Sequence, residues 1–92
     1  MKKIVAVCGL GMGSSMMLKM TIQDAVDKNN IKAKVESTDL GSAKSMEADI
    51  YILSSDLANN AKDFSGTVVI IKNIADENEV EEKLLEALKK DE

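Results

Sequence analysis

Cys8 is the one cysteine of the chain, and it follows the apolar run Ile4-Val5-Ala6-Val7 and precedes Gly9-Leu10-Gly11-Met12-Gly13-Ser14-Ser15. A thiol at the end of a buried strand therefore faces a glycine-rich turn that opens a helix. Three alternate glycines let the backbone curl so that successive N–H groups point inward, and the helix adds its own unpaired amides and the positive end of its dipole. Such a cup suits a phosphate, and a thiol at its lip stands in the kind of field that favours the nucleophilic thiolate. The chemistry this implies is a phosphoryl group carried on sulfur, with Cys8 as nucleophile and residues 9 to 15 (Gly9, Leu10, Gly11, Met12, Gly13, Ser14 and Ser15) around the phosphate.

Other chemistries compete for the same loop. A dinucleotide fingerprint requires G-x-G-x-x-G, whereas the spacing here is G-x-G-x-G-S, and a Walker loop requires a lysine before its Ser or Thr, where Gly13 precedes Ser14. A phosphatase reading is closer, since a cysteine followed after five residues by an arginine resembles the phosphate loop of low-molecular-weight tyrosine phosphatases. Ser14 occupies the arginine position. Without a guanidinium, backbone amides and hydroxyls must stabilise the transferred group, which favours holding a thiophosphate over hydrolysing it. A redox-sensing or anion-binding thiol module stays open, as does the structural alternative of a buried strand-end cysteine beside a tight turn.

Composition narrows these readings. The chain has 92 residues and a net charge of −4; all 12 of its cationic side chains are lysines, and it has no histidine. That length predicts one domain spanning residues 1–92, with partners for any larger process. The acidic balance and the two aromatics, Tyr51 and Phe64, argue against nucleic acid as a partner. A lone cysteine leaves no internal disulfide or Cys-x-x-Cys pair, and the lack of histidine removes the usual zinc set, so neither a metal nor a cofactor is expected. The apolar run after Met1-Lys2-Lys3 is shorter than the roughly 7 to 15 residues of a secretory core, so a cytoplasmic location is expected.

The elements that must position Cys8 are legible in the pattern. Lys3 to Cys8 reads as a strand covered on both faces, and a helix follows to about Lys28 with Leu18, Ile22, Ala25 and Val26 inward and Lys19, Gln23 and Asp27 outward. Met17 is placed with Leu18 on the core side. Asn29-Asn30 is a left-handed stop. Ala33 to Ser37 is a more polar edge strand, Asp39 to Glu47 reads as loop or short helix, and Asp49 to Leu53 is a third, buried strand. Ser54-Ser55-Asp56 suits the N-cap of a short helix through about Ala61. Thr67 to Ile71 is the fourth strand. Asp76 with Glu79 resembles a capping box for a last helix whose inner face is Val80, Leu84, Leu85 and Leu88. Asp56 and Asp76 could overhang the site, but each has a capping role in this reading. The alternation predicts an α/β fold of three layers, α/β/α, on a four-stranded parallel sheet of order 2-1-3-4, Rossmann-like or flavodoxin-like. Ligands of such sheets bind where the strand order reverses, at the end of strand one.

With these residues in view, the stretch from Cys8 to Met20, C-G-L-G-M-G-S-S-M-M-L-K-M, closely resembles the phosphocysteine loop and first helix of enzyme IIB proteins of the sugar phosphotransferase system. The ascorbate type, with its C-G-x-G-x-G-S-S pattern, is the nearest match, and the Gly11-Met12 pair is also similar to the cellobiose and lactose type. Lys44-Ser45, Ala48-Asp49-Ile50 and the closing amphipathic helix fit the same family. The resemblance implies that Cys8 takes phosphate from a phosphohistidine of a IIA protein or domain and passes it to a carbohydrate bound at the membrane component IIC. Membrane association would then be peripheral. Leu10, Met12, Met16 and Met20 would form an apolar rim around the thiol, suited by its flexible thioethers to meeting both partners in turn.

Overall fold

The periodicity resolves into two amphipathic helices, two short helical segments and four strands. The computed structural model describes residues 1–9 and 12–90, with the backbone alone at Met12. In chain order the elements are β1 (Lys2–Val7), α1 (Met12–Lys28), β2 (Ala33–Thr38), α2 (Leu40–Lys44), β3 (Ile50–Ser54), a 3-10 segment (Ser55–Asp63), β4 (Thr67–Ile71) and α3 (Glu77–Lys90). All strand pairs are parallel and the order is β2-β1-β3-β4, as expected.

Alternation along each strand divides the core between the two sheet faces. Ile4, Ala6, Ile50, Ile52, Val69 and Ile71 pack under α1 and α3 with Leu18, Ile22, Val26, Val80 and Leu84. On the other face, Val5, Val7, Tyr51 and Leu53 pack with Ala43 of α2 and Leu57 of the 3-10 segment. The sheet is thus covered on both sides, giving the three layers. β2, at an edge, carries the polar alternation that an edge permits, and α1 stops at Asn30, whose φ of 54° is the left-handed turn expected there.

Four expectations need correction. Cys8 lies just past β1, which ends at Val7. Met17 is 50% exposed, because the core stripe of α1 runs through Ser15, Leu18, Ile22, Ala25 and Val26, and the residue before Leu18 is rotated about 100° from it. Leu85 is only half-buried for the same geometric reason, and Ala87 joins Val80 and Leu84 in the core instead. The segment after β3 winds as a 3-10 helix as far as Asp63, beyond Ala61, and the Ser54 side chain does not cap it.

Candidate functional site

The chain leaves β1 to build β2 on one side, then returns to build β3 on the other, so the connections diverge between the carboxyl ends of β1 and β3. Val7 stands opposite Leu53 in the parallel register. The residues that follow each, Cys8-Gly9 and Ser54-Ser55-Asp56, therefore emerge side by side. Cys8 is a free thiol and is 5% exposed.

Ser54 is 4% exposed and has the extended backbone of an N-cap (φ −68°, ψ 154°), but its hydroxyl oxygen accepts the Gly9 N–H at 3.3 Å instead of an amide of the 3-10 segment. The strand-three terminus is thereby tied to the residue after the thiol. A Cβ on Gly9 would collide with the carboxylate of Asp56 and come within 3.0 Å of a Leu57 methyl, while φ at Gly9 lies outside the left-handed range. The absence of a side chain at Gly9 is what lets the Asp56 carboxylate and Leu57 approach so closely; a larger residue there would displace them. Sequence reasoning gives Ser54 a capping role alone and misses its bond to Gly9; for Asp56 it allows a position over the site beside the capping role, and the structure sets that carboxylate against Gly9. Their position directly after the strand that pairs with β1 was the available signal.

Gly9, Gly13, Ser14 and Ser15 are placed as follows, while Leu10, Gly11 and the Met12 side chain lie outside the described residues. Gly13 is in the first turn of α1, and a Cβ there would meet nothing within 4 Å, which leaves open space over the helix start. Ser14 is half-buried one residue on, and Ser15 is buried at 2% exposure on the core stripe. The first turn of α1 contains no acidic residue, so no carboxylate of its own neutralises the amides and dipole there. An anion is the complement such a helix end favours.

Of the rim residues, Met16 and Met20 are 52% and 64% exposed and project from one face of α1, and Met17 beside them is half-exposed. Lys44 pairs with Asp63 at 3.4 Å, so its charge is engaged away from the thiol. Concave surfaces lie between α1 and α3, lined by Thr21, Asp24, Lys28 and Glu81, and at the opposite end of the sheet, lined by Lys3, Glu47 and Asp49; neither includes Cys8. Among the described residues no cluster of three His, Cys, Asp or Glu side chains could hold a metal ion, and no helix is long and apolar enough to cross a membrane.

Comparison with known proteins agrees with this geometry. The family model described as "PTS system, Lactose/Cellobiose specific IIB subunit" matches residues 3–86. An ascorbate-specific PTS system EIIB component of Mycoplasma pneumoniae is 38% identical over 91 residues, covering 92% of this chain and 93% of that protein. A protein of the same description from Salmonella choleraesuis is 36% identical over 90 residues, covering 95% of this chain and 89% of that one. Among solved structures, the lactose-specific IIB component domain of the phosphoenolpyruvate:carbohydrate phosphotransferase system from Streptococcus pneumoniae superposes with a TM-score of 0.62 at 16% identity, covering 96% of this chain and 91% of that chain. That likeness bears on the fold.

Proposed function

The chain belongs to the IIB family of the sugar phosphotransferase system and is a phosphotransferase component of it, and from that premise we propose that Cys8 is the residue that carries the phosphoryl group. The observation that carries this reading is the placement of the lone thiol at the diverging carboxyl ends of β1 and β3, beside a helix start with no acid of its own. A phosphohistidine of a IIA protein or domain presents its phosphorus to the Cys8 sulfur. The sulfur electron pair forms the S–P bond as the N–P bond breaks; that bonding pair returns to the imidazole nitrogen, and the thiol proton leaves to the donor side or to water. In the second step a hydroxyl oxygen of a carbohydrate bound at IIC attacks phosphorus, the S–P pair stays on sulfur, and the hydroxyl proton goes to a base of the accepting component.

In this reading the protein contributes position and charge stabilisation. Backbone amides of the loop formed by Gly9, Leu10, Gly11, Met12, Gly13, Ser14 and Ser15 surround the equatorial oxygens. The Gly9 amide is free for this role once it parts from Ser54. With Ser14 where a phosphatase has its arginine, the loop lacks the fixed guanidinium that would speed hydrolysis. Residues 1–92 act as one phosphocarrier domain. Leu10, Met12, Met16 and Met20 form the surface that docks first on IIA and then on IIC, at the cytoplasmic face of the membrane. The names of relatives sharing 36% to 38% of their residues across almost the whole chain favour ascorbate or a similar carbohydrate over lactose or cellobiose.

The test is intact mass after incubation with the phosphohistidine form of the IIA protein of the same system. The expected result is a gain of one phosphoryl group that Cys8→Ser abolishes. A wild-type chain that stays unmodified, or a Cys8→Ser chain that is still labelled, overturns the relay.

A further inference from the structure

We propose that Asp56 sets how strongly Cys8 holds its phosphoryl group, by placing a negative charge beside Gly9, the residue that follows the thiol. The inference rests on the relay reading above and deepens it. Asp56 is on the exposed first turn of the 3-10 segment, and its carboxylate occupies the space where Gly9 would carry a Cβ, one residue from the thiol. Among the described residues it has neither an ion pair nor a hydrogen-bond partner, in contrast to Asp39, Asp49, Asp63 and Asp76. Ser54, two residues earlier, accepts the Gly9 N–H, which brings the start of the 3-10 segment up against Gly9 and sets the Asp56 carboxylate beside it. The glycine that follows the cysteine is thus what admits this charge.

Its consequence follows from the charge balance of the transfer. When the S–P bond forms as the donor N–P bond breaks, the sulfur site changes from a thiol or a singly charged thiolate to a dianionic thiophosphate. Asp56 therefore opposes the phosphorylated state more than the free one. An easily discharged carrier suits a relay, because the group must leave for the carbohydrate hydroxyl as readily as it arrived. For like charges on neighbouring residues near the surface, removing one is expected to change the equilibrium roughly 3- to 10-fold at low salt, and less as screening increases.

The experiment measures the equilibrium, not only the rate, of transfer between the chain and phosphorylated IIA protein, as the fraction of each carrying phosphate by intact mass. Docking alters the speed of approach to equilibrium but leaves the constant between free species unchanged, so a contact role for Asp56 does not move this readout. Asp56→Asn is expected to shift the constant roughly 3- to 10-fold toward phosphocysteine at low ionic strength, with the shift shrinking in roughly 0.5 M salt. Asp56→Glu, which keeps the charge, is expected to remain near wild type. Wild-type labelling with an unchanged or lowered constant in Asp56→Asn overturns the role of Asp56 and leaves the relay standing. Absence of labelling in the wild type overturns the relay, and this inference with it.

Discussion

Two strand-to-helix junctions leave the same edge of the same sheet, and they treat their backbone amides in opposite ways. At the β4–α3 junction the chain's own acids take them up. Asp76 accepts the Glu79 N–H at 3.1 Å, Glu79 accepts the amides of Lys72 and Asn73 at 2.7 and 2.9 Å, and Lys83 bridges Glu79 and the Ile70 carbonyl at 2.7 and 2.8 Å. At the β1–α1 junction, by contrast, the first turn of α1 has no acidic residue, a Cβ on Gly13 would face open space, and the Gly9 N–H donates to the Ser54 hydroxyl at 3.3 Å. A closed junction contributes stability. A helix start without an acid in its first turn is suited to receive an anion from outside, which is the role proposed for this turn.

Making the first junction resemble the second is the most damaging change short of removing the thiol. Ser14→Asp places a carboxylate in the first turn of α1, where it satisfies the helix end as Glu77 and Glu79 do in α3 and competes with the phosphoryl group for the same field. Transfer to Cys8 is expected to fall on the order of 100-fold, the scale of losing one strong stabilising contact to a developing charge, while thermal stability holds or rises slightly. A fully active Ser14→Asp chain would show that the open helix start has no part in binding. Next in size is the rim. Met16→Asp with Met20→Asp, both at exposed positions, is expected to slow transfer from the IIA protein roughly tenfold by removing apolar contact from a docking face. The phosphotransfer equilibrium constant and the unfolding midpoint should not change. A double variant with wild-type rates removes the rim from the docking surface.

The sequence pattern determined most of the architecture because burial on both faces leaves few alternatives for runs such as Ile4-Val5-Ala6-Val7 and Ile50-Tyr51-Ile52-Leu53, and because short crossovers between parallel strands restrict the strand order. The thiol and its loop stand out in the sequence for a different reason, since a lone cysteine and alternate glycines are distinctive residue types. The bond of Ser54 to Gly9 was not legible, because serine after a strand ordinarily caps the next helix, and only the register between β1 and β3 brings it to Gly9 instead; Asp56 could be placed over the site but not against a particular residue. Met17 was misplaced by hydrophobicity alone; the stripe that decides its side passes through Ser15, a polar residue with no apolar signal. The Asp76 cap was read correctly, but Glu79 turns toward Lys72 and Asn73 where a capping box would return to the Asp76 amide, a choice set by the end of β4 lying close beside it.

Glu79 provides the smallest effect and the cleanest separation of the two junctions. Burial raises its pKa, but the hydrogen bond from the Lys83 ammonium and the amides of Lys72 and Asn73 outweigh that and lower it from 4.5 to about 2. The folded chain therefore binds fewer protons than the unfolded chain as the pH falls below neutrality. The stability Glu79 contributes is fully present above the unfolded value near 4.5 and is lost as the pH falls through about 2. Glu79→Gln removes the charge and leaves one of its two acceptor positions facing donors as an amide NH2, at a cost of about 1 to 2 kcal/mol near neutral pH. The gap between wild type and variant, measured by urea unfolding across pH, should narrow as the pH falls below about 4.5 and close only below about 2, where both side chains are neutral. A gap that stays constant with pH would mean that shape, not charge, is what Glu79 contributes. Phosphotransfer to Cys8 at neutral pH should be unaffected, since these bonds belong to the junction that holds its own anions and not to the one that is open to a phosphoryl group.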